Sequence, residues 1–103
     1  MAELLSDITI QRELGGIHGW SRRGDALTRT YQFRNFTAAM DFVNRVAEAA
    51  EAADHHPDID IRYSKVTLTL STHSAGGITQ NDIDLAKVID AGDNTPDSGG
   101  STA

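Results

Sequence analysis

The sequence predicts a two-layer α+β domain: four antiparallel strands with three helices on one face, in the order α-β-β-α-β-β-α. Three observations carry this. Two segments, about 20–33 and 58–71, each read as a strand pair joined by a short turn, with apolar and polar side chains alternating. Between them one long stretch repeats its apolar residues at helical spacing. Each strand pair also has one apolar and one polar face, as in an antiparallel sheet covered on one side only. Helices on that side complete two layers.

The first helix is capped by Ser6, runs to about Leu14 and is stopped by Gly15-Gly16, with Leu5, Ile8 and Leu14 as its apolar side. Trp20 to Phe33 forms a hairpin turning at Gly24-Asp25, where Leu27, Tyr31 and Phe33 alternate with Thr28, Thr30 and Gln32. Arg29 then falls on the apolar face, which places it at an edge. The longest helix spans Asn35 to about Ala53, capped by Asn35 or Thr37, with Phe36, Ala39, Met40, Val43, Val46, Ala47 and Ala50 on its stripe. Pro57 forbids its continuation. In the second strand pair Ile59, Ile61 and Tyr63 alternate with Asp58, Asp60 and Arg62, and Val66, Leu68 and Leu70 with Thr67, Thr69 and Ser71. Tyr63-Ser64-Lys65 is the tight link. A last helix runs from Gln80 to Ala91, opened by Thr79. Residues 1–91 form the domain, and residues 92–103, rich in Gly, Ser, Asp and Thr, are expected to be a disordered tail.

Bulk properties narrow the function. A chain of 103 residues holds one core, and a net charge of -6 with no basic run longer than Arg22-Arg23 argues against direct nucleic-acid binding. No apolar run approaches the roughly 20 residues of a membrane span. The start, Met-Ala-Glu-Leu-Leu-Ser, lacks the pattern of a signal peptide, so the cytoplasm is the expected location. The absence of cysteine removes disulfides and thiolate metal sites.

The chemistry concentrates between Glu51 and Asp82, which holds three of the four histidines. Histidine both gives and takes protons near neutral pH. His55 and His56 leave the C-terminus of the long helix, where the dipole favours their charged form. His73 has the strand parity of Thr67, Thr69 and Ser71 and points to the polar side or turns away at the strand end. Each residue also has an ordinary structural explanation. His55-His56-Pro57 serves as a helix stop, Thr79-Gln-Asn-Asp82 as a capping box, Glu51 as a solvated helix carboxylate, and Gly76-Gly77 as a loop. Trp20 is by default a core or rim aromatic, and His18 a loop residue without a role. Taken singly these explanations win. Taken together they weaken, because the strand pair between His56 and His73 carries the chain out and back to one edge of the domain.

The run Glu51-x-x-x-His55-His56-Pro57, followed by Tyr63, His73 and Asp82, resembles the signature of the pterin-4a-carbinolamine dehydratases. The flanks agree: Gly19-Trp20, Phe33-x-x-Phe36, Thr72-His73, Gly77-Ile78-Thr79 and Asp82-Ile83. The likeness covers roughly residues 5–91. It implies the fold derived above and a reaction in which a 4a-hydroxytetrahydropterin, the by-product of pterin-dependent aromatic amino-acid hydroxylation, loses water to give quinonoid dihydropterin. The resemblance implies catalytic roles for His55, His56 and His73, supporting roles for Glu51 and Asp82, and substrate contacts from Trp20, His55, His56, Pro57, Thr72 and His73, with no cofactor or metal. Which histidine is acid and which is base stays open. It further implies homodimers formed by joining sheets, or tetramers through the long helix, and a functional link to an aromatic amino-acid hydroxylase. The Ala-rich surface at Ala49, Ala50, Ala52 and Ala53 suits helix packing or plain exposure. The alternative is a dehydratase-like interaction protein, a transcriptional dimerisation cofactor or an assembly chaperone. A His₃ metal site is a distant third reading.

Overall fold

The structure, a computed structural model, describes residues 3–91. The expected tail, 92–103, lies outside the described residues. Its elements follow the expected order: α1 (Asp7–Leu14), β1 (Ser21–Arg23), β2 (Ala26–Gln32), α2 (Phe36–Ala53), β3 (Asp58–Arg62), β4 (Lys65–Leu70) and α3 (Gln80–Ala91). The sheet is antiparallel throughout in the order β1-β2-β4-β3. β2 and β4 therefore form its centre, and α2 carries the chain from β2 past β4 to the outer strand β3.

Helix starts follow side-chain chemistry. The Ser6 hydroxyl accepts the Thr9 N–H at 3.2 Å, and Asn35 Oδ1 accepts the Ala38 N–H at 2.8 Å, so Asn35 rather than Thr37 caps α2. The end of α2 is a Schellman motif: Asp54 takes the left-handed conformation (φ 52°, ψ 43°), its N–H reaches Glu51 O, and the His55 N–H reaches Ala50 O at 3.1 Å. Aspartate tolerates this region better than most residues. The turn aims the chain out of the helix axis at His55, two residues before Pro57 acts.

The core lies between the helices and one sheet face. Leu27, Tyr31, Val66, Leu68 and Leu70 from the sheet meet Phe42 and Val46 of α2, Ile83, Leu85 and Ile89 of α3, and Ile10 of α1. Tyr31 and Phe42 pack with ring centroids 4.5 Å apart, and Phe33 lies 5.1 Å from Phe42. Truncating a buried ring of this kind costs about 3–5 kcal/mol. The opposite face is polar, with Thr28 opposite Thr69 and Thr30 opposite Thr67, whose hydroxyls bond at 2.8 Å.

Two expectations about helix faces are corrected, and one strand is more exposed than its pattern suggests. In α1 the buried residue is Ile10, while Ile8 is exposed, because a spacing of two positions puts them about 200° apart around the helix. In α2 the inner face is Ala39, Phe42, Val46 and Ala50, so Phe36 and Ala47 fall to its flanks. Ile59 and Ile61 share the face of Leu68 and Val66 but stay over a third exposed, because β3 is the outermost strand. Exposed Phe36 stacks on exposed Tyr63 at 6.4 Å, and Tyr63 has a positive φ of 53° in the two-residue turn before β4.

Arg29 resolves as an edge residue in a local sense. β1 pairs only with Ala26–Thr28, so from Arg29 onward β2 has a strand neighbour on one side alone. Its guanidinium lies 4.4 Å from the Tyr31 ring centroid and donates to Asp90 Oδ2 at 3.0 Å and His18 O at 2.9 Å. Gly19, at φ 91°, makes room: a Cβ there would stand 2.7 Å from the guanidinium.

Candidate active site

The site is assembled where the exit of α2, the exit of β4 and the entry of α3 meet. Past β4 the chain makes an isolated bridge at Thr72–Gly77, where Thr72 keeps the inward parity of Leu68 and Leu70, so Thr72 is buried and His73 exposed. A tight loop follows. The Thr72 carbonyl accepts the N–H groups of Ala75 and Gly76, and the Thr72 N–H donates to Gly77 O at 2.8 Å. Gly76 supplies the positive φ of 81° that closes it. Thr79 then caps α3: its hydroxyl accepts the Asn81 N–H, while Asp82 Oδ2 reaches back to the Thr79 N–H at 2.8 Å.

Asp82 is fully buried, and its carboxylate is shared by three elements. Oδ2 accepts both the Thr79 N–H and the Thr72 hydroxyl at 2.8 Å, and Oδ1 lies 2.6 Å from His55 Nε2. A buried carboxylate needs such partners to remain charged, and the first turn of α3 adds its dipole. An ionised carboxylate only accepts hydrogen bonds, so His55 Nε2 carries the proton in this contact. His55 keeps 13 % side-chain exposure, and its Nδ1 makes no hydrogen bond with a described residue. The capping-box and imidazole-orienting explanations of Asp82 therefore hold together.

A second imidazole–carboxylate pair lies beside the first. His56 Nε2 stands 2.5 Å from Glu51 Oε2, one helical turn back on α2, with both side chains mostly exposed. The His73 ring is exposed and makes no hydrogen bond or ion pair with a described residue, although its neighbour Thr72 ties this strand exit to Asp82 and hence to His55. The structure thus joins His55, Asp82 and Thr72 directly, and pairs His56 with Glu51. Half-buried Pro57 follows the two histidines out of the helix.

Trp20 is placed elsewhere. It is buried, meets Tyr31 edge-on and donates Nε1–H to Asp90 Oδ2 at 2.9 Å, eight residues and about 12 Å along α3 from Asp82. A recess of about 390 Å³, lined by Ile17, His18, Arg29, Lys87 and Asp90, also belongs to that end. Thr72, expected to touch substrate, has its hydroxyl turned inward to Asp82. Thr79 was legible only as a cap. Its hydroxyl lies 2.7 Å from that of Thr72, and the parity of Leu68 and Leu70 was the signal that would have placed Thr72 inside. Among the described residues no group of three or more His, Asp or Glu side chains is disposed to hold a metal ion.

Fold and site together define a two-layer α+β domain built around histidine–carboxylate pairs. The chain belongs to the family described as pterin 4 alpha carbinolamine dehydratase, whose model matches residues 3–92. It is 64% identical over 85 residues to a protein of Thermomicrobium roseum provisionally named pterin-4-alpha-carbinolamine dehydratase, covering 82% of this chain and 91% of that one. A protein of Cyanothece sp. with the same provisional name is 56% identical over 89 residues, covering 86% and 92%. A crystal structure of a transcriptional coactivator/pterin dehydratase from Brucella melitensis superposes with a TM-score of 0.81 at 35% identity, over 84% of this chain and 95% of that one. A pterin dehydratase-like protein described as a RuBisCO assembly factor of the alpha-carboxysome shares the fold, with a TM-score of 0.61 at 23% identity, over 72% and 88%.

Proposed function

We propose that the protein dehydrates a 4a-hydroxytetrahydropterin to quinonoid dihydropterin and water, returning the oxidised pterin for reduction and reuse by an aromatic amino-acid hydroxylase. The observation that carries this reading is the His55–Asp82 contact, in which a buried carboxylate fixes one ring nitrogen of a histidine whose other nitrogen is open.

The reaction needs one proton delivered and one removed. The hydroxyl on C4a takes a proton and leaves as water, and N5 gives up its proton as the N5–C4a double bond forms. The net proton count is unchanged, so two imidazoles can divide the work. His55, held by Asp82, is one such group. Exposed His73 and Glu51-paired His56 supply the other at the same edge of the domain. Positioned acid–base groups typically contribute about 10²–10⁴-fold, enough for a carbinolamine that already dehydrates slowly by itself. Pro57 stiffens the exit that carries both histidines.

The partly exposed apolar residues at one sheet edge also support self-association. The outer edge of β3, with Ile59 and Ile61 partly exposed and the Phe36–Tyr63 stack beside it, is the surface we assign to joining sheets. An interaction role of the kind named for the structural neighbours would use such surfaces and would not require three histidines.

The test is direct. Purified protein, with and without prior chelator treatment, is mixed with synthetic 4a-hydroxytetrahydropterin and the formation of quinonoid dihydropterin is followed by absorbance. Acceleration unaffected by chelation is expected. No acceleration, together with no binding of dihydropterin, overturns the reading.

A further inference from the structure

We infer that Thr72 and Thr79 are positioning residues that hold His55 for proton transfer through Asp82, and that Nδ1 of His55 is the atom that exchanges a proton with the substrate. The kinetic part rests on the dehydratase reading; the orientation of His55 stands on geometry alone.

The chain of bonds has one direction. Thr72 Oγ1 has a single hydrogen, and Asp82 Oδ2 at 2.8 Å can only accept it. The hydroxyl of Thr79, 2.7 Å from Thr72 Oγ1, must then be the donor in that pair. Thr79 Oγ1 in turn accepts the Asn81 N–H at 3.2 Å. Four groups therefore line up: an amide of the first turn of α3, two hydroxyls and a carboxylate, ending on His55 Nε2–H at Asp82 Oδ1. Aligned donors polarise one another in a dry setting, and this one is dry: Thr79 and Asp82 are fully buried and Thr72 is 6 % exposed.

The arrangement constrains what each group can do. With Oδ2 occupied by two donors, the only open lone pairs of Asp82 are those of Oδ1, so the carboxylate cannot turn away from His55 without stranding a buried hydroxyl and a buried amide. His55 is accordingly held with Nε2 inward and Nδ1 outward. The Thr72 hydroxyl serves the site through the carboxylate, from a buried position. It also links His73, its chain neighbour, to the same carboxylate.

Thr72→Val keeps the shape and deletes the donor, while Thr72→Ser keeps the donor and deletes a methyl. We expect Thr72→Val to lower kcat about tenfold or more with KM within twofold, and Thr72→Ser to recover most of the loss. Thr79→Val, which retains the backbone N–H to Asp82, should give a smaller loss of the same kind and covers the case in which Thr72→Val does not fold. In substrate-free protein, proton NMR should show the His55 Nε2–H as a downfield, slowly exchanging resonance, assigned by its loss in His55→Gln and displaced or broadened in Thr72→Val. A folded Thr72→Val or Thr79→Val protein with unchanged kcat and an unchanged His55 resonance overturns the inference. A displaced resonance in a protein inactive even as wild type would overturn the dehydratase reading and leave the positioning of His55 standing.

Discussion

Asp82 in the first turn of α3 and Asp90 in its last turn are both carboxylates that gather three donors. Asp82 takes His55, the Thr72 hydroxyl and the Thr79 N–H. Asp90 takes Trp20 Nε1–H at Oδ2, the Arg29 guanidinium at Oδ2 and the Tyr31 hydroxyl at Oδ1, 2.7 Å away. The difference lies in the partners. Arginine stays charged and the indole does not titrate. The Tyr31 hydroxyl is pushed far above the ordinary phenol range, first by burial and then by its bond to Asp90. None of the three donors to Asp90 changes protonation near neutral pH, so that cluster is a brace, and it offsets the unfavourable position of an anion at a helix C-terminus. At Asp82 the partner is an imidazole, and in the proposed reading the same carboxylate geometry aims a proton carrier. A recess also adjoins the Asp90 end and His18 lines it, yet both histidine–carboxylate contacts are at the other. Concavity and chemistry are separate properties of this molecule.

Substitutions that treat the two carboxylates alike should separate them. Asp82→Asn places an amide –NH₂ against either His55 or the two donors at Oδ2, and should reduce dehydration by roughly 10²-fold or more in a stopped-flow assay. Asp90→Asn turns the same –NH₂ against Arg29, Trp20 or Tyr31. It should leave kcat within twofold and lower stability to urea by about 2 kcal/mol, since hydrogen bonds to charged groups carry about 1.5–3 kcal/mol.

Tyr31→Phe sharpens the contrast further. It should cost about 1 kcal/mol at neutral pH and alter the alkaline limb of the stability curve. The folded chain keeps the Tyr31 proton above the ordinary phenol pKa of about 10, whereas the unfolded chain loses it. The unfolded state then binds fewer protons, and stability falls as pH rises. The contribution of Tyr31 is fully present below pH about 10 and declines above it by up to about 1.4 kcal/mol per pH unit. Urea titrations of wild type and Tyr31→Phe between pH 8 and 11 should converge as pH rises. The smallest effect belongs to Glu51→Gln, because the pair with His56 is mostly exposed. Stability should change by less than about 0.5 kcal/mol and activity by less than tenfold.

Much of this was legible in the chain. Local patterns placed all seven elements close to their observed bounds, and the caps Ser6 and Thr79, with Asn35 as one of two candidates, followed from side-chain oxygens just ahead of apolar periodicity. Asp82 could be read both as a cap and as a support for histidine, and it is bonded as both. What stayed hidden depends on partners far along the chain. Arg29 and Asp90 are 61 residues apart, and His55 and Asp82 are 27 apart. No period announces such pairs. The bond from the Trp20 indole N–H to Asp90, 70 residues away, was likewise without a signal. The exposure of Ile59 and Ile61 was equally invisible, since alternation gives the face of a strand and not its position in the sheet.

The measurement that bears most directly on the account is the rate of dehydration of 4a-hydroxytetrahydropterin by Asp82→Asn and Asp90→Asn side by side with wild type. Wild type and Asp90→Asn should accelerate the reaction alike, and Asp82→Asn should fall by roughly 10²-fold or more. Equal rates for the two variants, or no acceleration by wild type, would contradict the assignment of the Asp82 end as the place where protons move.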